Sequence, residues 1–389
     1  MQISGIPGFI RRAFGGLSAG ASVRMNVTAL AALAAAAIYR VYLAVTADRV
    51  SILTVLPAHG EMGAYNGMAA DRYIDTVTGP LYPVFLMLMR LFYRDGGLRA
   101  VFIIQGLVIV LCAAFAGVIA ARLSNRASGL AALLLVSLYP AFVIYGLVCL
   151  PVVFCILTVF LMMLVLSADS GDGGRDTPGS VISGVLGAVA LLLHPVMIYL
   201  LPGLFAAARR RLLMASVLLL LIVPWGVRNS VIAGRPVPVY EFSAYQLTTG
   251  ETALSGDWKV IDGLYFNLSF IMKKSLERSH MPVIFGSRTT NNHLLQYAFV
   301  VAALFGLTGL IRYYGRSNLR TLLPVMTYAI LTILLTRYTT RTRVIFEPLL
   351  LVYASILVGE SLWKLGRGES LGKGRREELR PEPANHVDQ

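Results

Sequence analysis

Long apolar runs separated by short polar breaks set the pattern of this chain. The runs fall at about 26–46, 80–93, 100–121, 129–146, 147–166, 181–207, 212–225, 294–311, 321–336 and 344–362. An α-helix needs about 20 apolar residues to cross the hydrocarbon of a bilayer. Most of these runs meet that length, and none alternates as a strand would. The pattern predicts an all-α polytopic membrane protein with about ten transmembrane helices.

The path turns on two runs: 80–93 is short and 181–207 is long. If 80–93 crosses and 181–207 is one helix, Arg94 and Arg99 lie inside and Arg122 and Arg126 outside. If 80–93 lies in the interface and 181–207 breaks at His194-Pro195 to cross twice, Arg122 and Arg126 lie inside. Both paths put Arg209, Arg210 and Arg211 inside and the Trp225 end outside. Charge alone does not choose between them.

The polar parts complete the organisation. Residues 1–25, with Arg11, Arg12 and Arg24 among Gly, Ser and Ala, read as an amphipathic cytoplasmic leader. They lack the short apolar core and cleavage site of a signal peptide. A transmembrane module spans 26–227 and contains a first external stretch, 47–79, with an unusual share of the acids. A second external stretch follows at 228–293, then C-terminal helices over 294–362. The tail, 363–389, is charged and aperiodic and reads as disordered in the cytoplasm. No internal repeat of transporter type is visible.

Composition agrees with the pattern. Hydrophobic residues make up 57% of the 389 and charged residues 14%, too little charge to cover a soluble surface. Lys and Arg number 34 against 20 Asp and Glu, a net charge of +14. In a membrane protein such an excess reflects basic cytoplasmic loops, so no nucleic-acid partner is implied. Cys112, Cys149 and Cys155 all lie in apolar runs without CxxC spacing, giving neither a disulfide framework nor a metal site.

Candidate chemistry gathers in the external segments. Glu61, Asp71 and Asp75 stand with His59, Tyr65 and Tyr73 just after the first span. A carboxylate at the membrane surface serves as a general base towards an acceptor hydroxyl or amine. With His59 it also suits a divalent metal. The alternative for each acid is a solvated loop carboxylate. PWGVRN, 224–229, ends a span on an interfacial Trp followed by Arg228. That arginine is either a snorkelling side chain or a guanidinium fork on a lipid phosphate. RYTTRTR, 337–343, sets Arg337, Arg341 and Arg343 in an external loop against the positive-inside bias. That conflict favours a phosphate-gripping role. His194 is a packed histidine or, if the helix breaks there, a cavity-facing one. The sequence has no Walker loop, GxGxxG after a strand, HExxH or nucleophile elbow.

In this order the segments resemble the GT-C superfamily of integral membrane glycosyltransferases. The likeness is to the bacterial branch related to aminoarabinose-lipid A transferases and protein O-mannosyltransferases. It rests on Glu61 with Tyr65 and Ala69 after the first span, then GPLYPVFLMLMRLF with Arg99 and Gln105. SLYPAFVIYG at 137–146, GVLGAVALLLHPVMIYLLP at 184–202, PWGVRN, and RTRVIFEPLL at 341–350 complete it. The resemblance implies a GT-C-like bundle with two larger external loops and a seven-helix module, which favours the path with 181–207 as one helix. It implies a polyprenyl-phosphate-linked sugar as donor, a lipid or glycan acceptor, and membrane lipids as surroundings. The site would face the periplasm or exterior of the inner (plasma) membrane, with Glu61 matching the first-loop catalytic acid. Arg228, Arg337, Arg341 and Arg343 become candidates for the leaving phosphate, with Tyr65 and His194 beside them. The chain departs in having Glu for the more frequent Asp, His194 where Arg is usual, and no acid at 149–151. A lipid-linked polysaccharide transporter and an O-antigen polymerase or ligase are the alternatives.

Overall fold

The computed structural model describes residues 23–46, 68, 71, 74, 76, 78–92, 97–168, 177–237, 239–240, 288–313, 319–335 and 343–366. All regular structure among them is helical: α1 Val23–Thr46, α2 Leu81–Phe92, α3 Gly97–Leu123, α4 Arg126–Leu138, α5 Pro140–Tyr145 and α6 Val152–Ala168 come first. Then follow α7 Thr177–Leu193, a 3-10 turn Pro195–Leu200, α8 Leu201–Ala207, α9 Arg211–Ala233, α10 Arg288–Tyr313, α11 Leu319–Leu335 and α12 Glu347–Gly366. Among the described residues four segments are long and apolar enough to cross a membrane: Val27–Thr46, Leu98–Leu123, Arg211–Ala233 and Glu347–Leu365. Shorter apolar helices surround them. This is an all-α membrane protein.

One break decides the helix path. α7 stops at Leu193 because Pro195 has no N–H to continue it. His194 turns extended (φ −156°, ψ 130°) and its Nδ1 accepts from Val196 N at 3.3 Å, capping the 3-10 turn. The chain then folds back. Leu201 and Leu204 pack beside Gly187 of α7, and Arg210 N donates to Ser180 Oγ at 3.3 Å. α9 returns alongside α7, with Ala188 and Leu191 packed on Leu218 and Ile222. Segment 181–207 is therefore not one helix, as the resemblance led us to expect; it runs out and back. α2, with 12 residues, is about 18 Å long at 1.5 Å per residue, short of a full crossing.

The ends sort accordingly. Arg122 donates to Ser167 Oγ at 3.5 Å. Val165, near the end of α6, meets Ile182 and Leu186 near the start of α7, and α7 begins beside Arg210. Arg122 and Ser167 thus share an end with Arg209–Arg211. At that same end Ser124 Oγ donates to Glu360 Oε1 at 2.8 Å and Tyr313 OH to Glu360 Oε2 at 2.7 Å. This grouping is the one expected if 181–207 crosses twice.

α9 also runs on past its expected end at Trp225. Pro224 sits inside it, and the helix stops only at Gly234, whose left-handed φ of 64° suits glycine. Arg228 and Asn229 therefore belong to its last turns and not to a loop. Likewise α12 continues to Gly366, beyond the boundary expected at 362. α10 and α12 approach backbone to backbone, since a Cβ on Gly306 would stand 2.6 Å from Leu350 O. Small residues permit such contact between membrane helices.

Candidate functional site

At the end opposite Arg209, three distant segments meet. Arg228 Nη2 donates to Ile74 O, across 154 positions of sequence, and Nη1 donates to Asn229 Oδ1 at 2.8 Å. The guanidinium carbon lies 4.5 Å from the Trp225 ring centre. The close of the first polar stretch also packs on α7: a Cβ on Gly79 would stand 2.5 Å from both Leu192 O and Leu193 O. Past α9 the chain is strapped back. Asn229 Nδ2 donates to Val239 O at 2.7 Å, and Ser230 Oγ donates to Val237 O at 3.0 Å. Tyr240 OH donates to Leu191 O. Burial pushes the Tyr240 phenol well above its ordinary pKa, so this donor stays protonated.

The candidates from sequence divide as follows. Arg228, half-buried, and Asp71, exposed, belong to the segments that meet here. His194 stands at the end of α7, one residue past the carbonyls that Gly79 covers, and its ring is engaged as a cap. Arg343 is placed differently from its expected external loop. It is buried at the opening of a helical turn, with Nε donating to Glu347 Oε1 at 2.8 Å and Nη2 to Leu295 O at 3.4 Å. Its guanidinium lies 4.2 Å over the Phe299 ring. The reason is Glu347, one turn on, which supplies a counter-charge that makes burial tolerable. His59, Glu61, Tyr65, Asp75, Arg337 and Arg341 lie outside the described residues. Among the described residues no group of three or more His, Cys, Asp or Glu is placed to hold a metal.

Sequence reasoning missed a buried polar set around residues 137–150. Residues 141–150 are all buried, yet the helix breaks at Tyr139-Pro140 and again after Tyr145. Non-helical backbone within a membrane protein's core needs partners from the protein itself. Arg40 of α1 supplies them on one side, donating Nη2 to Ser137 O at 2.6 Å and Nη1 to Phe142 O at 3.2 Å. Gln105 of α3 supplies them on the other, donating to Val148 O at 2.9 Å and Tyr145 O at 3.3 Å. Tyr82 OH holds Gln105 Oε1 at 3.3 Å. Glu347 closes the set. Its carboxylate is fully buried, held by Arg343 Nε and facing the Tyr139 hydroxyl. An arginine and a glutamate inside apolar runs were the available signal, because charge there is costly and is kept for a purpose.

No family model matches the chain, and no curated protein does. Among solved structures it is similar to the oligosaccharyltransferase of Archaeoglobus fulgidus, in its crystal structure with Zn and sulfate. The identity is 15% and the TM-score 0.47, over 75% of this chain and 41% of that one. This chain thus matches less than half the length of that enzyme.

Proposed function

We propose that the protein is a glycosyltransferase that moves a sugar from a polyprenyl-phosphate donor to an envelope glycolipid, polysaccharide or protein acceptor. The observation that carries this reading is the bond from Arg228 to Ile74 O. It draws PWGVRN and the acid-bearing first stretch to one end of the bundle, the pairing that such a transfer at a membrane face requires. The order of motifs that resembles the GT-C superfamily supports it. The proposed organisation is a transmembrane module from residue 26 to the end of α9 at Ala233, with external stretches at 47–79 and between α9 and α10, and further helices from α10 to the end of α12 at Gly366. The active face is turned away from the cytoplasm of the inner membrane.

In this reading the Glu61 carboxylate accepts the proton of the acceptor hydroxyl. The acceptor oxygen attacks the anomeric carbon with inversion. The bond from that carbon to the phosphate oxygen breaks, and the polyprenyl phosphate leaves with the electron pair. Arg337 and Arg341 meet the charge that grows on the departing phosphate. Asp71 and Asp75 flank the base, while Tyr65 and His194 border the sugar. If a divalent metal takes part, His59 is its ligand from this stretch. A transporter would need charged groups lining a path. Among the described residues the buried charged side chains, Arg40, Arg343 and Glu347, are instead engaged with protein groups.

The test is Glu61→Gln in purified protein reconstituted with a polyprenyl-phosphate sugar and a mixed-lipid acceptor extract. Loss of glycosidic product by a factor of about 100 or more is expected for a general base, whose contribution is about 10²–10⁴. Undiminished turnover in the variant overturns the base. Movement of lipid-linked sugar across the bilayer without bond formation overturns the class.

A further inference from the structure

Arginine 228 was singled out in the sequence as a candidate fork for phosphate. Its surroundings suit another task. A guanidinium presents five N–H donors in one plane. Here one arm is turned onto Ile74 O, another onto Asn229 Oδ1, and a face is covered by Trp225. Asn229 is fully buried and spends its own amide on Val239 O. Ser230 Oγ both donates to Val237 O and accepts from Val237 N at 2.9 Å. Three successive side chains of one helix end thus bond to backbone of two other segments. That pattern fixes chain paths relative to one another.

We infer that Arg228 is a positioning residue: it latches the close of the first polar stretch onto α9 and so sets where the carboxylates of that stretch stand. Asp71 lies three residues before the latched carbonyl and Asp75 one residue after it. Gly79 adds a second fixed point, its backbone resting on the Leu192 and Leu193 carbonyls. Between the two, the stretch is held to α9 and α7 together. The inference deepens the proposed transfer reaction and rests on that reading for its kinetic consequence. The latch itself does not depend on it.

The experiment uses the full chain in lipid nanodiscs, as Arg228→Gln and Arg228→Lys. It reads kcat and donor KM, the Kd for a polyprenyl monophosphate, and proteolytic cleavage within 47–79. A latch predicts a fall in kcat of about 10- to 100-fold, since a small misplacement of reacting groups costs that much. Donor KM and the monophosphate Kd stay within about twofold, and cleavage within 47–79 rises several-fold. A tenfold or greater rise in KM and Kd with kcat unchanged means that Arg228 touches phosphate, which overturns the inference. If the wild type forms no glycosidic bond, the proposed function fails and cleavage alone judges the latch: an unchanged pattern overturns it. Arg228→Lys keeps the charge but not the planar fork that reaches both Ile74 O and Asn229 Oδ1, so it carries the comparison should Arg228→Gln not fold.

Discussion

Arg343 and Glu347 form a buried ion pair one helical turn apart, with Nε donating to Oε1 at 2.8 Å. Breaking such a pair from one side leaves a buried charge without compensation, at a cost of about 3–5 kcal/mol. Replacing both partners removes the charge altogether. Arg343→Met and Glu347→Leu should therefore each lower stability by about that amount, and the double variant by less than their sum. Thermal denaturation in detergent, followed by size-exclusion chromatography, checks this. Additive losses would show that the pair is not coupled.

Arg40 caps two carbonyls at the Tyr139-Pro140 break. Each buried acceptor left unbonded costs about 1–3 kcal/mol. Arg40→Met is expected to lose both contacts and to lower the denaturation midpoint most. Arg40→Lys offers a point charge instead of a planar fork and should fall between Met and wild type. Equal midpoints for Lys and Met would mean that the charge does not matter there.

Gly79 rests on two backbone carbonyls with no room for a methyl group. Gly79→Ala should shift the stretch that leads into α2, at a cost of about 1–3 kcal/mol for overpacking. Glycosyl transfer should fall with it. Gly234→Ala, where a Cβ would meet nothing within 4 Å, should leave transfer near wild type despite its backbone strain. Equal activity in the two variants would remove the packing argument.

The fold-back at His194 makes a prediction about sides. A cysteine placed at Arg210 or Arg126 should react with a membrane-impermeant thiol reagent from one side only, and one at Arg235 from the other. The native Cys112, Cys149 and Cys155 are buried and free, so background labelling should be low. Opposite labelling of 126 and 210 would restore the path with a single helix over 181–207.

Much of the helical pattern was legible because apolar runs of membrane length have few other outcomes. The His194-Pro195 break was legible too, since proline cannot extend a helix. What followed the break was not. Whether a chain continues or returns depends on packing, here Leu201 and Leu204 against Gly187, and periodicity does not report that. The end of α9 was misplaced because Trp225 and Arg228 resemble a membrane boundary. Only Gly234 ends the helix. At the site, Arg228 was found by type and its partner Ile74 was not, because a backbone carbonyl leaves no mark in a sequence. Arg40 and Glu347 stand out as charges within apolar runs, but the carbonyls that Arg40 holds lie about a hundred residues further along, and no period in the sequence reports them.

The Arg40 contacts carry a consequence for biogenesis. As α1 emerges from the ribosome, its guanidinium has no partner, and Ser137 lies 97 residues further along. An arginine near the centre of a membrane helix disfavours insertion by about 2.5–3.5 kcal/mol. α1 is thus a hesitant anchor by itself, settled only when the broken segment around Pro140 arrives. Insertion of α1 is in this way tied to the order of synthesis, and a chain truncated before residue 137 would leave α1 to be extracted.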